Sequence, residues 1–388
     1  MNQLKEKLNI PELRFPEFNK SWGHVTIGEK FSVNIKKNRD QTEKNVLTNS
    51  ATQGIVNQRD YFDKDIAVEG NTENYYIVEE NDFIYNPRIS VSAPVGPMKR
   101  NKLGKGIMSP LYNVFRPNTE NVDFLEKYFN TAHWYQYMKQ VANYGARHDR
   151  MAISKRDLMS IPLPNPVPDE QQKIVSFLST VDEKIFLLEQ QKESWEQYKK
   201  GIMQQIFSQK IRFKKDDGSE FPDWEEIKVK DILDSISTRS HQVLNTQISN
   251  TGDYPVVDQG KDMVAGYSNE LDKLFTGGDA IIFGDHTAVL KYIDFSFIVG
   301  ADGTKILQCK NQNLKYLYYN LVFNNISQGG YRRHFSLLKE VILQIPSLKE
   351  QQKITEFLSE LDSKIQKINS KITQSKEWKK GLLQKMFV

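Results

Sequence analysis

Apolar residues recur at alternating steps of four and three along two stretches of this chain. They are Ile174, Leu178, Val181, Ile185 and Leu188 in one stretch, and Ile354, Leu358, Leu361, Ile365, Ile368 and Ile372 in the other. That spacing holds one apolar stripe on one helical face and predicts two long helices with a coiled-coil seam; two ordinary core helices are the plainer alternative. Pro166 and Pro168 precede the first helix, with Asp169 as its N-cap, and Pro346 and Ser347 precede the second. At 1.5 Å per residue, each would form a rod of roughly 57 Å. Elsewhere the pattern shortens to strand-like runs at Tyr75-Tyr76-Ile77-Val78, Asp82-Phe83-Ile84-Tyr85, Ala280-Ile281-Ile282-Phe283 and Phe297-Ile298-Val299, several bounded by Gly, Pro or Asn. Helical runs follow at 122–141 and 314–324. Each region therefore reads as a strand pair, a helix, a Gly-containing loop (143–150 and 328–334) and an Ile-Pro stop.

The two long helices are copies of one segment. Residues 170–207 and 350–387 align without a gap at an offset of 180, and 16 of the 38 pairs are identical, among them Glu170/Glu350, Phe177/Phe357, Gly201/Gly381 and Phe207/Phe387. Register kept over that length marks an internal duplication. The openings of the two halves also agree: Leu13-Arg14-Phe15-Pro16 and Trp22 match Ile211-Arg212-Phe213 and Phe221-Pro222-Asp223-Trp224. The expected architecture is α+β: mixed α/β modules at 1–168 and 211–348, separated by helices at 169–210 and 349–388. If the halves are related by a pseudo-two-fold axis, the second helix runs antiparallel to the first and ends near the N-terminus, with the modules at opposite ends of one rod.

Composition narrows the class. With 38 % hydrophobic and 11 % aromatic residues, 388 residues can bury real cores. The N-terminal segment lacks an apolar signal region and no window is apolar enough to span a membrane, so the expected location is the cytoplasm. A single cysteine, Cys309, excludes disulfide frameworks and multi-thiolate metal sites within the chain. The net charge of +4 is too small to argue nucleic-acid binding by itself. Residues 211–348 carry 15 basic against 18 acidic side chains. Any DNA contact there needs a local basic edge, or a partner supplying most phosphate contacts.

Catalytic constellations are missing. There is no G-x-x-x-x-G-K-[ST] loop and no G-x-G-x-x-G, and the turns Asn86-Pro87-Arg88-Ile89 and Asn165-Pro166-Val167-Pro168 do not fit the Asn/Asp-Pro-Pro-aromatic signature of amino-methyltransferases. The six histidines have no metal-ligand spacing. Asp285-His286-Thr287 follows a strand without a nucleophile elbow, which leaves a turn capped by Asp285, or His286 and Thr287 bonding a ligand edge. Arg-rich loops stand at equivalent points of both halves: Arg147, His148 and Arg150 in one, Arg332, Arg333 and His334 in the other. Guanidinium groups suit guanine edges and phosphates, so these residues, with His286, Thr287 and, more weakly, Arg88 and Ser90, are the candidate DNA contacts. As isolated loops they would be solvated surface.

The repeated pattern Ile161-Pro162-Leu163-Pro164, Glu170-Gln171-Gln172-Lys173-Ile174, Phe177-Leu178 and Asp182-Glu183-Lys184-Ile185, renewed from Ile345-Pro346, resembles the specificity subunit of type I restriction-modification systems, over the whole chain. The resemblance implies two target-recognition domains alternating with two spacer helices, and a subunit that is not itself an enzyme. It would read double-stranded DNA for a complex. Two copies of a modification methyltransferase subunit would bring S-adenosylmethionine, and restriction motor-nuclease subunits would bring ATP and magnesium. This chain would hold no cofactor of its own. A fused repeat can diverge where a homodimer cannot, so the target should be bipartite and asymmetric, with the helices as a ruler for the gap. Identity outside the seam makes Gln171, Lys173, Phe177, Asp182, Gln351, Lys353, Phe357 and Asp362 candidate docking residues for the modification subunits, unless common ancestry alone left them alike. A duplicated scaffold with protein-binding heads and a free-standing DNA-binding regulator are the competing functions.

Overall fold

The computed structural model describes residues 9–61, 72–142, 149–300, 302–324 and 333–388. Two long helices run over Pro168–Phe207 and Leu348–Lys385. The first starts one residue before the Asp169 cap suggested by sequence: Pro168 has no amide hydrogen to lose and tolerates the first helical position.

Packing draws boundaries across these helices rather than at their ends. One compact unit comprises residues 1–188 with 371–388, and the other comprises residues 189–370. Each unit thus contains one module, the first half of one long helix and the second half of the other. The apolar stripes of the helices expected as spacers also close the module cores. In the first unit Ile174, Leu178, Val181 and Ile185 share a core with Leu382, Leu383, Met386 and Phe387, and with Trp22, Phe124 and Trp134 of the module. In the second, Ile354, Leu358 and Leu361 share a core with Met203, Ile206, Phe207 and module residues Trp224, Tyr316 and Leu343.

Antiparallel pairing of the two helix segments is visible inside each unit. In the first, Leu13 N–H donates to the Lys385 carbonyl (2.8 Å) while the adjacent Arg14 grips Glu170, so the end of one helix lies beside the start of the other. In the second, Trp195 lies under Lys364 (5.1 Å) and Lys199 bonds Asp362 (2.5 Å), a descending register. Equivalent residues exchange the same bridge: Lys199 meets Asp362 in one unit, and Lys379 meets Asp182 in the other.

The modules share a topology. Each has a four-stranded antiparallel sheet of one order: Phe31–Val33, Asn113–Pro117, Phe83–Tyr85 and Met98–Arg100 in the first unit, Asp234–Ile236, Thr304–Gln308, Ala280–Gly284 and Leu290–Ile293 in the second. Each also has a two-stranded ribbon, Gly23–Thr26 with Pro162–Asn165 and Glu225–Lys228 with Ile342–Ile345, leading into a long helix. The remaining strands differ, pairing as 47–50 with 54–57 and 76–78 with 106–108 in one unit, and as the three-stranded sheet 266–268, 254–257, 298–299 in the other.

One expected helix is broken. The run 122–141 forms Val122–Phe129 and Tyr135–Val141. Between them Ala132 N–H reaches Gln384 Oε1 (3.3 Å), a donor that a continuous helix would give to its own i−4 carbonyl, and the His133 ring bonds the Gln384 carbonyl (2.9 Å).

A buried carboxylate opens each long helix. Arg14 donates Nε and Nη2 to the two Glu170 oxygens at 2.7 and 2.8 Å, and Arg212 does the same to Glu350 at 3.2 and 2.9 Å. Trp224 Nε1–H adds a third donor to Glu350 (3.1 Å). These hydrogen bonds raise the pKa of both guanidinium groups. Since Glu350 is fully buried, Arg212→Met should strand its charge and destabilise that unit by about 3 kcal/mol. Amide hydrogen exchange should accelerate across 189–370 and stay unchanged in the module core of the other unit; uniform protection would refute the estimate.

Candidate nucleic-acid interface

In both units the central strand of the four-stranded sheet runs out into a loop, and that loop is stitched to the segment entering the last short helix. In the first unit the strand Phe83–Tyr85 continues into 86–90. Ile89 N–H donates to the Asp149 carbonyl and Met151 N–H to the Pro87 carbonyl, both at 3.0 Å. In the second, Ala280–Gly284 continues into 285–288. Here His334 N–H donates to the Asp285 carbonyl (2.8 Å) and Phe335 N–H to Asp285 Oδ1 (2.8 Å).

The first stitch gathers Arg88, Ser90 and Arg150 on an open cleft of about 560 Å³, whose walls also include Asn49, Tyr61 and Tyr112. Both guanidinium groups lie 3.9 Å from Asp149 Oδ2, with side-chain exposures of 69 % for Arg88 and 33 % for Arg150. Such loose, solvated pairs contribute little, so either arginine can turn to a phosphate or a base at small cost. Ser90 Oγ caps its own turn, bonding Ser92 Oγ (3.1 Å) and Ala93 N–H (3.2 Å). Asn49 is buried; its Nδ2 donates to the Ile84 and Pro97 carbonyls, while its Oδ1 has no partner among the described residues.

The second stitch sets His286 on a cleft of about 610 Å³ with Gln242, Asn245, Thr246, Gln259 and Asp302. Thr287 Oγ1 donates to the Gln259 carbonyl (2.7 Å) and His286 N–H to Gln259 Oε1 (3.2 Å). Of the readings left open for Asp285-His286-Thr287, the structure therefore supplies the Asp285-held turn and also puts His286 on a cleft. Arg333 is exposed, whereas His334 is wholly buried with Nδ1 against the Asp285 carbonyl (3.1 Å), beneath the loop rather than on its surface. Arg147, His148 and Arg332 lie outside the described residues.

The residues singled out for docking have partners inside their own units. Gln171 and Gln351 are buried, and each donates Nε2 to a proline carbonyl, Pro166 or Pro346 (2.8 Å). Their Oε1 atoms accept from Asn121 Nδ2 and from Asn313 N–H. Phe177 packs edge-on against Phe15 and Trp378, and Phe357 against Phe213. Lys173 pairs with Glu17, and Lys353 with Asp216. Asp182 joins Lys127 and Lys379; Asp362 joins Lys199 and Tyr319. Burial works against the ionised form of Asp182, but its lysine hydrogen bonds outweigh that and set its pKa below the ordinary value. At these positions the two long helices thus make matching internal contacts. Phe186, Leu187 and Trp378 remain more than half exposed.

Gln242, Asn49 and Asp302 were not singled out from the sequence. They carry no local motif and come from segments far apart along the chain. Among the described residues no group of three or more His, Cys, Asp and Glu could hold a metal ion, and no helix is long and apolar enough to cross a membrane.

A repeated sheet order with a loop-built cleft in each unit defines a duplicated two-module protein. Residues 19–197 and 222–375 match the family model described as type I restriction modification DNA specificity domain, and the chain belongs to that family. Among similar proteins, a putative type I restriction enzyme MjaX specificity subunit of Methanocaldococcus jannaschii is 32 % identical over 36 % of this chain and 31 % of its own length. The MjaVIII specificity subunit of the same organism is 28 % identical over 42 % of this chain and 38 % of its own. The chain thus matches about a third of the length of these relatives. Two solved structures share the fold at 15 % identity and TM-score 0.54. One, titled for complex assembly and conformational transition of the type I R-M system, is aligned over 93 % of this chain and 96 % of that one; the other, the type I S subunit from M. genitalium, over 98 % and 99 %.

Gly96 tests how the first cleft is held. It sits at φ +78°, and a Cβ there would come 2.1 Å from the Asn86 carbonyl oxygen. Gly96→Ala combines left-handed strain with a backbone clash and should cost about 2 kcal/mol or more, with the damage centred on 86–90. Hydrogen exchange of the Ile89 and Met151 amides should rise well beyond that of Phe83–Tyr85; equal behaviour would show that the loop does not depend on this glycine.

Proposed function

We propose that this chain is the DNA sequence-recognition subunit of a type I restriction-modification complex, reading an asymmetric bipartite site with one module per half. The observation that carries this reading is the pair of clefts at one topological position of a duplicated fold, lined by different side chains. Arg88 and Arg150 are the charged groups lining one, whereas the other has amides, His286 and the Asp302 carboxylate and neither arginine nor lysine among its described lining residues. Matching frames give two reading heads, and unlike linings give two unlike half-sites. Membership of the DNA specificity family supports the same conclusion.

On this reading the chain performs no chemistry. Methyl transfer belongs to two modification subunits that bring S-adenosylmethionine, and cleavage to restriction subunits that bring ATP and magnesium, all in the cytoplasm. The internal partners of Gln171, Lys173, Asp182 and their counterparts move the proposed docking surface toward exposed neighbours. Phe186, Leu187 and Trp378, each at least half exposed, are the apolar groups a modification subunit would cover in the first unit.

Sequencing of methylated bases in cells with and without the gene is the direct test. Deletion should abolish methylation at one bipartite motif, and replacing 211–348 by the corresponding module of a relative of different specificity should change one half of that motif alone. An unchanged methylome on deletion would favour a scaffold or regulator.

A further inference from the structure

Two adjoining clefts of the second unit divide the tasks of DNA recognition by their chemistry, and they share Gln242 as a common wall. One, of about 400 Å³, is lined by Arg239 and Lys305 with Ser235, Ser237 and Thr238. Its cations and hydroxyls are donors for phosphate oxygens. The other is the His286 cleft, which has no lysine or arginine among its described lining residues.

Within the His286 cleft a hydrogen-bond chain fixes which atoms are left for a ligand. Gln242 donates Nε2 to Asp302 Oδ1 (2.8 Å). Gln259 donates Nε2 to the Asp302 carbonyl (2.8 Å) and accepts the His286 amide on its Oε1 (3.2 Å). Both groups of the Gln259 amide are thereby engaged, and it acts as a positioning residue. Gln242 keeps Oε1 and Asp302 keeps Oδ2, neither of which receives a hydrogen bond from a described residue. Gln242 also keeps the second hydrogen of its Nε2, so it can accept and donate side by side, whereas ionised Asp302 can only accept.

Resting on the reading that this module recognises half a DNA site, we infer that Gln242 and Asp302 read the exocyclic amino groups of adenine (N6) or cytosine (N4) in the major groove. Guanine and thymine present O6, N7 and O4 there, all acceptors, and opposite the Asp302 carboxylate they would leave both sides without a proton to share, while the adjacent Oε1 and Nε2–H of Gln242 match N6 and N7 of adenine. A carboxylate beside the backbone would be repelled, so Asp302 belongs at base edges, with Arg239 and Lys305 on the flanking phosphates. Arg88 and Arg150 make the corresponding cleft of the first unit donor-rich, suited instead to guanine. The two halves of the target would then differ in hydrogen-bond polarity.

The experiment selects duplexes from a randomised library with the full chain co-expressed with its modification subunits, and sequences the bound pool. Wild type should enrich a bipartite motif. Asp302→Ala, on an exposed side chain, and Gln242→Leu should each relax one position of one half about tenfold or more, and the base lost there should be adenine or cytosine on the contacted strand. Arg239→Ala and Lys305→Ala should weaken all sequences alike and lower the slope of log K against log salt by about one each. Relaxation at a guanine or thymine, or uniform weakening by Asp302→Ala, overturns the inference, as does an unmoved motif in both acceptor variants. Loss of folding in one variant, judged by thermal unfolding, leaves the other to decide. A wild-type pool without any bipartite motif overturns the recognition function as well; an intact motif that ignores both substitutions overturns this inference alone.

Discussion

Each unit depends on a carboxylate buried where a long helix begins. Glu170 and Glu350 are almost without solvent, and an ionised group there is tolerable only because an arginine from the start of the same unit's module presents two parallel donors to it. Arg14 and Arg212 also bind backbone carbonyls of the segment that follows them, Lys20 in one case and Phe221 and Pro222 in the other. One ion pair therefore ties the module's opening segment to the helix start, and in the second unit Trp224 joins it through its bond to Glu350. The surrounding apolar residues are interchangeable by comparison, since hydrophobic packing is non-directional.

Around that anchor the long helices serve as parts of two cores. Their repeated residues are alike because they meet alike surroundings: glutamine on a proline carbonyl, phenylalanine on phenylalanine, lysine on aspartate. This alters how identity between the repeats should be understood. A shared surface residue suggests a shared partner only when it is not already engaged, and here the internal partners are visible. Among the apolar side chains left exposed, Phe186 and Leu187 in the first helix have no apolar equivalents in the second, where Gln366 and Lys367 stand, whereas exposed Tyr198 and Trp378 occupy equivalent positions.

The clefts follow from a sheet order retained in both modules. A central strand that ends between neighbours must release its chain at the sheet edge, and the loop so formed is held from the other side by the segment before the last short helix. With this frame fixed, the lining residues can differ without cost to the cores. Divergent specificity on a common scaffold is the expected result, with binding groups on loops and stability in strands and helices.

Duplication, long helices, the mixed class and the equivalence of Arg14 with Arg212 were legible in the chain because periodicity and repetition are local properties. So was the position of Arg88, Arg150 and His286 on loops. What local pattern did not determine was the break at Asn130–Trp134, the division of each helix between units, the burial of His334 and the meeting of Gln242 with Asp302. Each of these rests on contacts between segments tens to hundreds of residues apart. A stripe of leucine and isoleucine specifies that a helix will bury one face, yet not which module covers it; a glutamine specifies two donors and an acceptor, yet only its neighbours decide which of them stays open.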